Sequence, residues 1–159
     1  MATVLIADDD EDHRLLLEIA LRRFGHDAVA ASDCDTAEAM VAAGGVDLLL
    51  LDVRMPGESG IEFCRRLRDT PAGATLPIMF VTADVNDRRI QAAIDAGADD
   101  YLTKPFHRAE LAARMDNLLL RRSAPADRSA PAAQAAMLAV RHALHRPVRE
   151  AGWPALRIA

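Results

Sequence analysis

Five short apolar segments alternate with five segments of helical periodicity along residues 1–122, and this alternation limits the possible folds more than any other feature. Strands that are separated by helices pair in parallel through right-handed crossovers. The sequence therefore predicts an α/β fold, a doubly wound parallel sheet with helices on both faces. The predicted strands are Thr3–Ala7, Ala28–Ala31, Val46–Leu51, Pro77–Val81 and Asp100–Thr103. The predicted helices are Asp12–Phe24, Asp35–Ala43 with Asp35 as N-cap, Gly60–Arg68, Asp87–Ala96 and His107–Arg122.

Charge divides the chain into two parts. Residues 1–120 contain 22 acidic and 12 basic side chains, whereas residues 121–159 contain 2 acidic and 7 basic ones. We expect a folded body over 1–122 and, over 123–159, a Pro/Ala linker with a short basic tail. The tail has room for one helix, Ala132–His145, but is too short to bury a core of its own. Docking of the tail on the body and a disordered extension both remain open.

The N-terminus turns acidic at once, which is not the pattern of a signal peptide. Since no stretch approaches the ~18 apolar residues of a membrane span, we expect no membrane partner and a cytoplasmic location. Cys34 and Cys64 have no nearby histidines in metal-site spacing and are expected to be buried, reduced thiols.

Side chains suited to binding a charged ligand follow four of the five predicted strands. Asp8, Asp9 and Asp10 follow the first strand, Asp52 the third, Thr82 the fourth and Lys104 the fifth. In an open parallel sheet, ligands bind at these carboxyl ends. Lys104 is also the only lysine among the 19 Lys and Arg residues, which indicates a position that needs a compact ammonium group rather than a guanidinium.

This set of side chains favours chemistry on a phosphorylated carboxylate. Crowded carboxylates repel unless a cation lies between them, and oxygen ligands without sulfur or nitrogen favour Mg²⁺. A lysine and a threonine hydroxyl are suited to the oxygens of a phosphoryl group. Each residue taken alone also has a plain explanation, a helix start, a loop cap or a surface charge. The shared location at one edge of the sheet is what favours a site.

The segments VLIADDDED, LLLLDVRMPGESG, PIMFVTA and GADDYLTKPF resemble the receiver domain of bacterial two-component response regulators, in particular the single-domain, chemotaxis-regulator-like type. The resemblance extends from Thr3 to about Arg122. It implies a flavodoxin-like fold with five helices and strand order 2-1-3-4-5. It also implies a phosphorylation-controlled switch rather than a metabolic enzyme, with self-phosphorylation from phosphohistidine donors and slow autodephosphorylation.

The resemblance assigns a role to individual positions. It makes Asp52 the phosphoryl acceptor. Around it, Mg²⁺ would be bound directly by Asp9 and Asp52, through waters by Asp8, and by the backbone carbonyl of Arg54. Thr82 and Lys104 would receive the phosphoryl oxygens, and Tyr101 would swing inward as Thr82 moves. The Lys104–Pro105 peptide bond is expected to be cis.

Two further expectations concern the surroundings of the site. Arg54 and Asp84 lie two residues beyond Asp52 and Thr82, and we hypothesise that they pair across the mouth of the site and slow hydrolysis. The face of the last helix-strand-helix is where a downstream protein would bind. It carries acidic and arginine side chains that are also compatible with phosphorylation-dependent dimerisation: Arg88, Arg89, Asp99, Asp100, Arg114 and Arg121.

The expected phosphodonor is a sensor histidine kinase or a phosphotransfer protein. Two other functions fit the sequence less well. A DNA-binding regulator would need a helix-turn-helix after the linker, and the tail lacks that pattern, so no specific nucleic-acid partner is expected. A phosphohydrolase with an aspartyl intermediate would need a carboxylate at position 54, where the chain has Arg54.

Overall fold

The computed structural model describes residues 1–122, which contain five strands and five helices in strict alternation. Each predicted element is present, with its ends shifted by at most two residues. In chain order they are β1 (Thr3–Ala7), α1 (Glu11–Arg23), β2 (Asp27–Ala31), α2 (Cys34–Ala43), β3 (Leu48–Leu51), α3 (Gly60–Arg68), β4 (Ile78–Thr82), α4 (Asp87–Asp95), β5 (Asp100–Thr103) and α5 (Arg108–Arg122).

All four strand pairings are parallel, and the strand order is β2-β1-β3-β4-β5. The predicted doubly wound sheet with order 2-1-3-4-5 is confirmed. The chain reverses its winding direction between β1 and β3, so a crevice lies outside the carboxyl ends of these two strands. The residues that follow β1 and β3 are therefore the ones best placed to meet a ligand.

The sheet separates two apolar cores, and successive residues of a strand alternate between them. Val4 and Ile6 of β1 pack with α1 and α5, while Leu5 and Ala7 pack with α2, α3 and α4. Alternate side chains of a strand point to opposite faces, so a strand covered on both faces must be apolar throughout. This explains the unbroken run of four leucines in β3, all of them buried.

The two cysteines lie in the core shared by α2, α3 and α4. Cys34 and Cys64 are buried and unpaired, as predicted. Burial raises the pKa of each thiol to about 11, because a thiolate is poorly solvated there. Both cysteines therefore act as small apolar side chains.

The start of α2 differs from the prediction. Asp33, not Asp35, is the N-cap, and its carboxylate accepts a hydrogen bond from the amide of Thr36 at 2.7 Å. Asp35 lies within the first turn, where the positive end of the helix dipole stabilises its negative charge. Tertiary packing decides which aspartate is the cap. Because Cys34 packs into the core as part of the helix, the helix has already begun at that residue.

The predicted tail, residues 123–159 with its helix Ala132–His145, lies outside the described residues. Between residues 1 and 122, no helix combines the length and apolarity that crossing a membrane requires.

Candidate functional site

Within residues 1–122, three polar side chains are almost completely buried, and all three belong to the carboxyl ends of strands. Asp8 follows β1 and is 2% exposed, Asp52 follows β3 and is 8% exposed, and Thr82 ends β4 and is 1% exposed. Burying a carboxylate is costly unless it is hydrogen-bonded and paired with a cation. The hydrogen-bond and ionic partners of these three groups therefore define the site.

Backbone hydrogen bonds hold both aspartates at the edge of the sheet. The amide of Asp8 donates to the carbonyl of Ala31 at 3.2 Å, and the amide of Asp52 donates to that of Ala7 at 2.9 Å. The start of α3 lies directly against Asp52, since a Cβ atom added to Gly60 would be 1.9 Å from the Asp52 carbonyl oxygen. A glycine at position 60 is therefore required for this approach.

Each carboxylate has one oxygen bound to the backbone and the other directed at the same cation. Oδ1 of Asp8 accepts from the amide of Asp10 at 2.9 Å, and Oδ1 of Asp52 accepts from the amide of Arg54 at 3.1 Å. The Nζ atom of Lys104 lies 2.9 Å from Oδ2 of Asp8 and 3.3 Å from Oδ2 of Asp52. One ammonium group thus pairs with two buried carboxylates.

Lys104 is positioned by its own backbone. Its amide donates to the carbonyl of Thr82 at 2.8 Å, continuing the pairing of β4 with β5, and the Lys104–Pro105 peptide bond is cis, as predicted. The side chain is only 12% exposed. The lone lysine of the chain is therefore a constituent of the acidic pocket rather than a surface charge.

His13 is a site residue that the sequence reasoning missed. Its Nδ1 atom lies 3.0 Å from Nζ of Lys104 and 3.7 Å from Oδ2 of Asp8. Asp10 caps α1 by accepting a hydrogen bond from the amide of His13, so position 13 falls in the first turn, directly above the strand end. The available signal was its position three residues after Asp10, a residue type that caps helices, which places His13 in the first turn after β1.

Opposing effects act on the carboxyl group of Asp8. Burial raises its pKa above the ordinary value of 3.8, while the hydrogen bond from Lys104 and the bond from the amide of Asp10 lower it, and the net direction is upward. The nearby charge of Asp52 adds to the increase. A second positive charge at the site would favour the ionised form of this group.

The structure gathers some of the predicted metal ligands and not others. Among the described residues, Asp8, His13 and Asp52 form one group whose ligand atoms all lie within 4.8 Å of one another. Asp9 and Arg54 are exposed at the rim, and the carboxylate of Asp9 is not part of this group. The observed cluster therefore shares Asp8 and Asp52 with the predicted ligand set and adds His13 to them.

Thr82 and Tyr101 are linked through the backbone of Asp84. The amide of Asp84 donates to Oγ1 of Thr82 at 3.3 Å, and its carbonyl accepts the hydroxyl of Tyr101 at 2.7 Å. The ring of Tyr101 is buried and stacks on Phe80 with centroids 5.9 Å apart. Burial also raises the pKa of its hydroxyl, so Tyr101 is a hydrogen-bond donor at neutral pH. The structure thus has the tyrosine in its inward position.

The predicted pair between Arg54 and Asp84 is not formed. The carboxylate of Asp84 instead contacts Nε of Arg89, in the first turn of α4, at 3.1 Å. Arg89 and Asp84 are close in sequence and on the same side of the crevice, so this pair costs less ordering than one across the mouth.

Both acidic residues predicted for a dimerisation face have arginine partners within the chain. Asp99 pairs with Arg68 at 2.9 Å, and Asp100 pairs with Arg114 at 2.7 Å. Burial is the largest effect on Asp100 and raises its pKa. Arg88 and Arg121 are exposed on the same face. Of the predicted set, the two aspartates therefore already have partners within the chain, whereas Arg88 and Arg121 are exposed.

A family model described as the response regulator receiver domain matches residues 4–116. The phosphate regulon transcriptional regulatory protein PhoB of Pseudomonas aeruginosa is 41% identical over 130 residues, which cover 81% of this chain and 56% of that protein. The chain spans about half the length of the curated relatives it matches, as the 53% coverage of the response regulator MprA of Mycobacterium avium also shows.

Solved structures show the same fold. A response regulator from Chloroflexus aurantiacus is 38% identical with a TM-score of 0.72, and the match covers 76% of this chain and 98% of that one. The receiver domain of a sensor histidine kinase from Pseudomonas aeruginosa is 28% identical with a TM-score of 0.70, covering 74% and 97%. That structure is described as having a magnesium ion coordinated in the active site cleft.

Proposed function

Because this chain belongs to the response regulator receiver family, we propose that Asp52 is the carboxylate that accepts its phosphoryl group. Receiver domains are phosphorylation-dependent switches of two-component signalling, and residues 4–116 are such a domain. The observation that carries the assignment is the ammonium of Lys104 between Asp8 and Asp52, 2.9 and 3.3 Å from their Oδ2 atoms. It places a positive charge beside the oxygen that would attack phosphorus.

The geometry of Asp52 supports its role as nucleophile. Oδ1 is held by the amide of Arg54, which leaves Oδ2 as the oxygen directed into the crevice. In the proposed step the phosphorus–nitrogen bond of a phosphohistidine breaks as a bond from Asp52 to phosphorus forms, and the donor imidazole recovers a proton. Lys104 and the hydroxyl of Thr82 would then stabilise the negative charge on the phosphoryl oxygens.

The donor set also fits Mg²⁺, which receiver domains bind at their acidic site. Carboxylate and carbonyl oxygens are the ligands that this ion prefers, and two carboxylates with one ammonium leave the pocket short of positive charge. Asp9, Asp52 and the carbonyl of Arg54 would bind the ion directly, and Asp8 would hold its waters. When bound, the ion would neutralise charge that develops on the transferred group.

The phosphodonor in this proposal is a sensor histidine kinase or a phosphotransfer protein. Contact between Thr82 and the phosphoryl group would pull on the amide of Asp84, whose carbonyl holds the hydroxyl of Tyr101. The conformation of the loop before α4 would thereby respond to phosphorylation. A downstream protein, or a second copy of the chain, would bind the face formed by α4, β5 and α5.

Arg54 and Asp84 are proposed to tune the lifetime of the phosphorylated form, although they do not pair with each other. The exposed guanidinium of Arg54 lies two residues from the acceptor, where it limits the approach of water. We expect Arg54→Ala to change the half-life of phosphorylated protein severalfold. An unchanged half-life would remove Arg54 from this role.

Intact-mass measurement after incubation with Mg²⁺ and a small-molecule phosphodonor tests the central assignment. We expect one phosphoryl adduct on the unmodified chain and on the control Asp116→Asn, which alters an exposed aspartate of α5. Asp52→Asn should carry no adduct because its amide is not a nucleophile. An adduct of equal yield on Asp52→Asn would place the acceptor elsewhere. No adduct on any folded variant would indicate a receiver that acts as a fixed binding module.

A further inference from the structure

Helix α1 has an apolar face that the sheet does not cover. Leu15, Leu16 and Ile19 are 55%, 49% and 46% exposed, and they make up half of the large apolar side chains exposed among residues 1–122. Residues three and four positions apart share one face of a helix, so these three form a single surface, here called the α1 patch. We propose that a segment of this chain's own tail, the helix predicted over Ala132–His145, packs on the α1 patch.

The α1 patch is additional to the apolar face that α1 needs for folding. The helix contacts the sheet through Leu17, Ala20 and Leu21, which are buried in the core beneath it. A helix that a sheet covers on one side needs one apolar face, and its outer face is ordinarily polar. A second apolar face made of adjacent residues therefore marks a surface where another polypeptide segment binds.

The tail has apolar side chains that it cannot bury by itself. Met137, Val140 and Leu144 recur at intervals of three and four residues, which is the spacing of one helical face. Isolated helices shorter than ~12–15 residues are marginal in water, even when they are rich in alanine. The tail is also too short to bury a core of its own. The helix predicted over 132–145 therefore depends on an apolar surface outside the tail.

The tail begins close to α1. Helix α1 lies over β1 and β2, and α5 lies over β3 on the same face of the sheet. Since β1 and β3 are neighbours in the sheet, α1 and α5 lie side by side. Helix α5 ends at Arg122, whose guanidinium donates to the carbonyl of Val46, shortly before β3, at 3.0 Å. The tail thus begins at the amino edge of the sheet, where α1 also ends.

The linker is long enough for the tail helix to reach the patch. Residues 123–131 span up to about 30 Å when extended. Ile19 and Leu15 lie about 6 and 12 Å from the end of α1 along the helix axis. Two packed helices lie about 8–10 Å apart, so the linker has length to spare. A segment tethered this closely has an effective concentration in the millimolar range, so a modest apolar contact is enough to hold it.

Charge favours the same contact and gives it a direction. Residues 9–12, at the start of α1, are four exposed acidic side chains. The segment 132–145 contains Arg141 and two histidines but no acidic residue. A helix that enters from the amino edge and runs antiparallel to α1 places Met137 and Val140 over the patch and Arg141 toward the acidic start of α1. The opposite direction would bring Arg141 toward the arginines that end α1.

A docked tail would lie beside the acidic pocket. His13, which contacts Lys104 in that pocket, is in the turn before the patch. A phosphodonor protein that approaches Asp52 over the start of α1 would compete with the tail for this surface. This consequence rests on the proposed function, whereas docking of the tail does not.

Amide hydrogen exchange of the full chain, measured by mass spectrometry without a phosphodonor, tests the proposal. We expect the amides of 132–145 to exchange at least about tenfold more slowly than those of an unstructured peptide, equally at low and high protein concentration. Leu16→Gln with Ile19→Gln should remove this protection, because glutamine preserves the helix but not the apolar patch. The control is Val85→Gln, which changes a side chain as exposed as Leu15 in the loop before α4, a helix on the other face of the sheet, and should preserve the protection.

Three results would overturn the proposal. Exchange of the tail segment at the rate of an unstructured peptide would leave the α1 patch to a partner protein. Protection that survives Leu16→Gln with Ile19→Gln would place the tail on another surface, and protection that grows with protein concentration would assign the patch to the tail of a second copy.

A second variant and an internal reference guard against a folding defect. Val140→Gln with Leu144→Gln changes the tail alone and should remove the protection as fully as the α1 variant does. The amides of β3 should exchange equally slowly in every variant, since all the substituted side chains of the body are exposed. None of these outcomes bears on the phosphoacceptor assignment, which the intact-mass measurement tests separately.

Discussion

The amino and carboxyl edges of the same sheet each hold a largely buried cation, and the two cations have different kinds of partner. At the amino edge, where strands begin, Arg68 is 11% exposed in its side chain. Its guanidinium donates to the carbonyl of Gly97 at 2.8 and 3.0 Å and to the carboxylate of Asp99 at 2.9 Å. Asp99 in turn accepts from the amide of Ile78, the first residue of β4, at 2.9 Å.

At the carboxyl edge, the ammonium of Lys104 has side-chain partners instead. Asp8, His13 and Asp52 surround it at 2.9–3.3 Å. A carboxylate or an imidazole can turn toward a new cation, whereas a backbone carbonyl in a packed loop cannot.

The difference shows how a fold separates stability from function with similar residues. A planar guanidinium with several directed donors suits a fixed set of carbonyls and joins the loops on either side of β4. A compact ammonium on a flexible stem can turn from the carboxylates to the oxygens of a phosphoryl group. The contacts at the amino edge are therefore fixed, whereas the side chains at the carboxyl edge can exchange partners.

The largest predicted effect is at the amino edge. Arg68→Ala should lower the free energy of unfolding by about 3 kcal/mol, because it removes the donors bound to the half-buried carboxylate of Asp99 and to the carbonyls of Gly73, Leu76 and Gly97. Urea denaturation measures the change. Arg65→Ala, an exposed arginine of the same helix α3, is the control and should change stability by less than about 0.5 kcal/mol. Equal effects of the two substitutions would mean that the amino edge contributes no special stability.

A smaller loss is expected where α3 contacts the acceptor strand. Gly60→Ala places a methyl group 1.9 Å from the Asp52 carbonyl oxygen, so the helix and the strand end must separate. We expect a loss of about 1–3 kcal/mol in the free energy of unfolding, typical of overpacking. Thermal unfolding would reveal it. A variant as stable as the parent would show that the approach of Gly60 to Asp52 is not a tight one.

The pH dependence of stability distinguishes buried from exposed aspartates at the carboxyl edge. Burial raises the pKa of Asp8 above 3.8, so the native state retains this proton longer than the unfolded chain does. Asp8 therefore makes its full contribution to stability below pH ~4 and loses it as the pH rises through the raised pKa. Relative to the unmodified chain, Asp8→Asn should gain stability between pH ~4 and 7 in denaturant titrations at each pH.

Asp10 provides a control of opposite sign. The hydrogen bond from the amide of His13 lowers the pKa of this exposed N-cap below 3.8. Its contribution is present above the ordinary pKa and is lost as the pH falls through the lowered value. Asp10→Asn should therefore lose stability relative to the unmodified chain as the pH rises toward 4. Parallel pH profiles for the two variants would contradict the assigned directions.

The smallest effect is expected at the rim. The pair between Arg89 and Asp84 joins a half-exposed guanidinium to a carboxylate, and such pairs contribute at most about 1 kcal/mol. Arg89→Ala should cost no more than that in thermal unfolding, and its exposed neighbour Arg88→Ala should cost less. A larger loss for Arg89→Ala would mean that this pair, and not packing alone, holds the start of α4.

Most of the fold was predictable because each element has a local signal. The unbroken leucines of β3 predict a strand covered on both faces, and Gly60–Arg68 and Asp100–Thr103 have the predicted ends. The N-cap of α2 was misassigned because Asp33 and Asp35 are chemically alike, and only the burial of Cys34 decides between them. Local chemistry cannot rank two equivalent caps when packing sets the helix start.

The sequence by itself determined the order of strands and helices, the family, and the gathering of Asp8, Asp52 and Lys104, since parallel strands bring their carboxyl ends to one edge. Tertiary structure alone decided the pairings around them. It brought the imidazole of His13 to within 3.0 Å of Lys104 and gave Asp84 to Arg89 instead of Arg54. The physical reason is the difference in the distances involved. Sequence periodicity places a residue on a face of a helix or at an edge of the sheet. A side-chain pairing depends on differences of a few ångströms, which only the packing of the whole molecule sets.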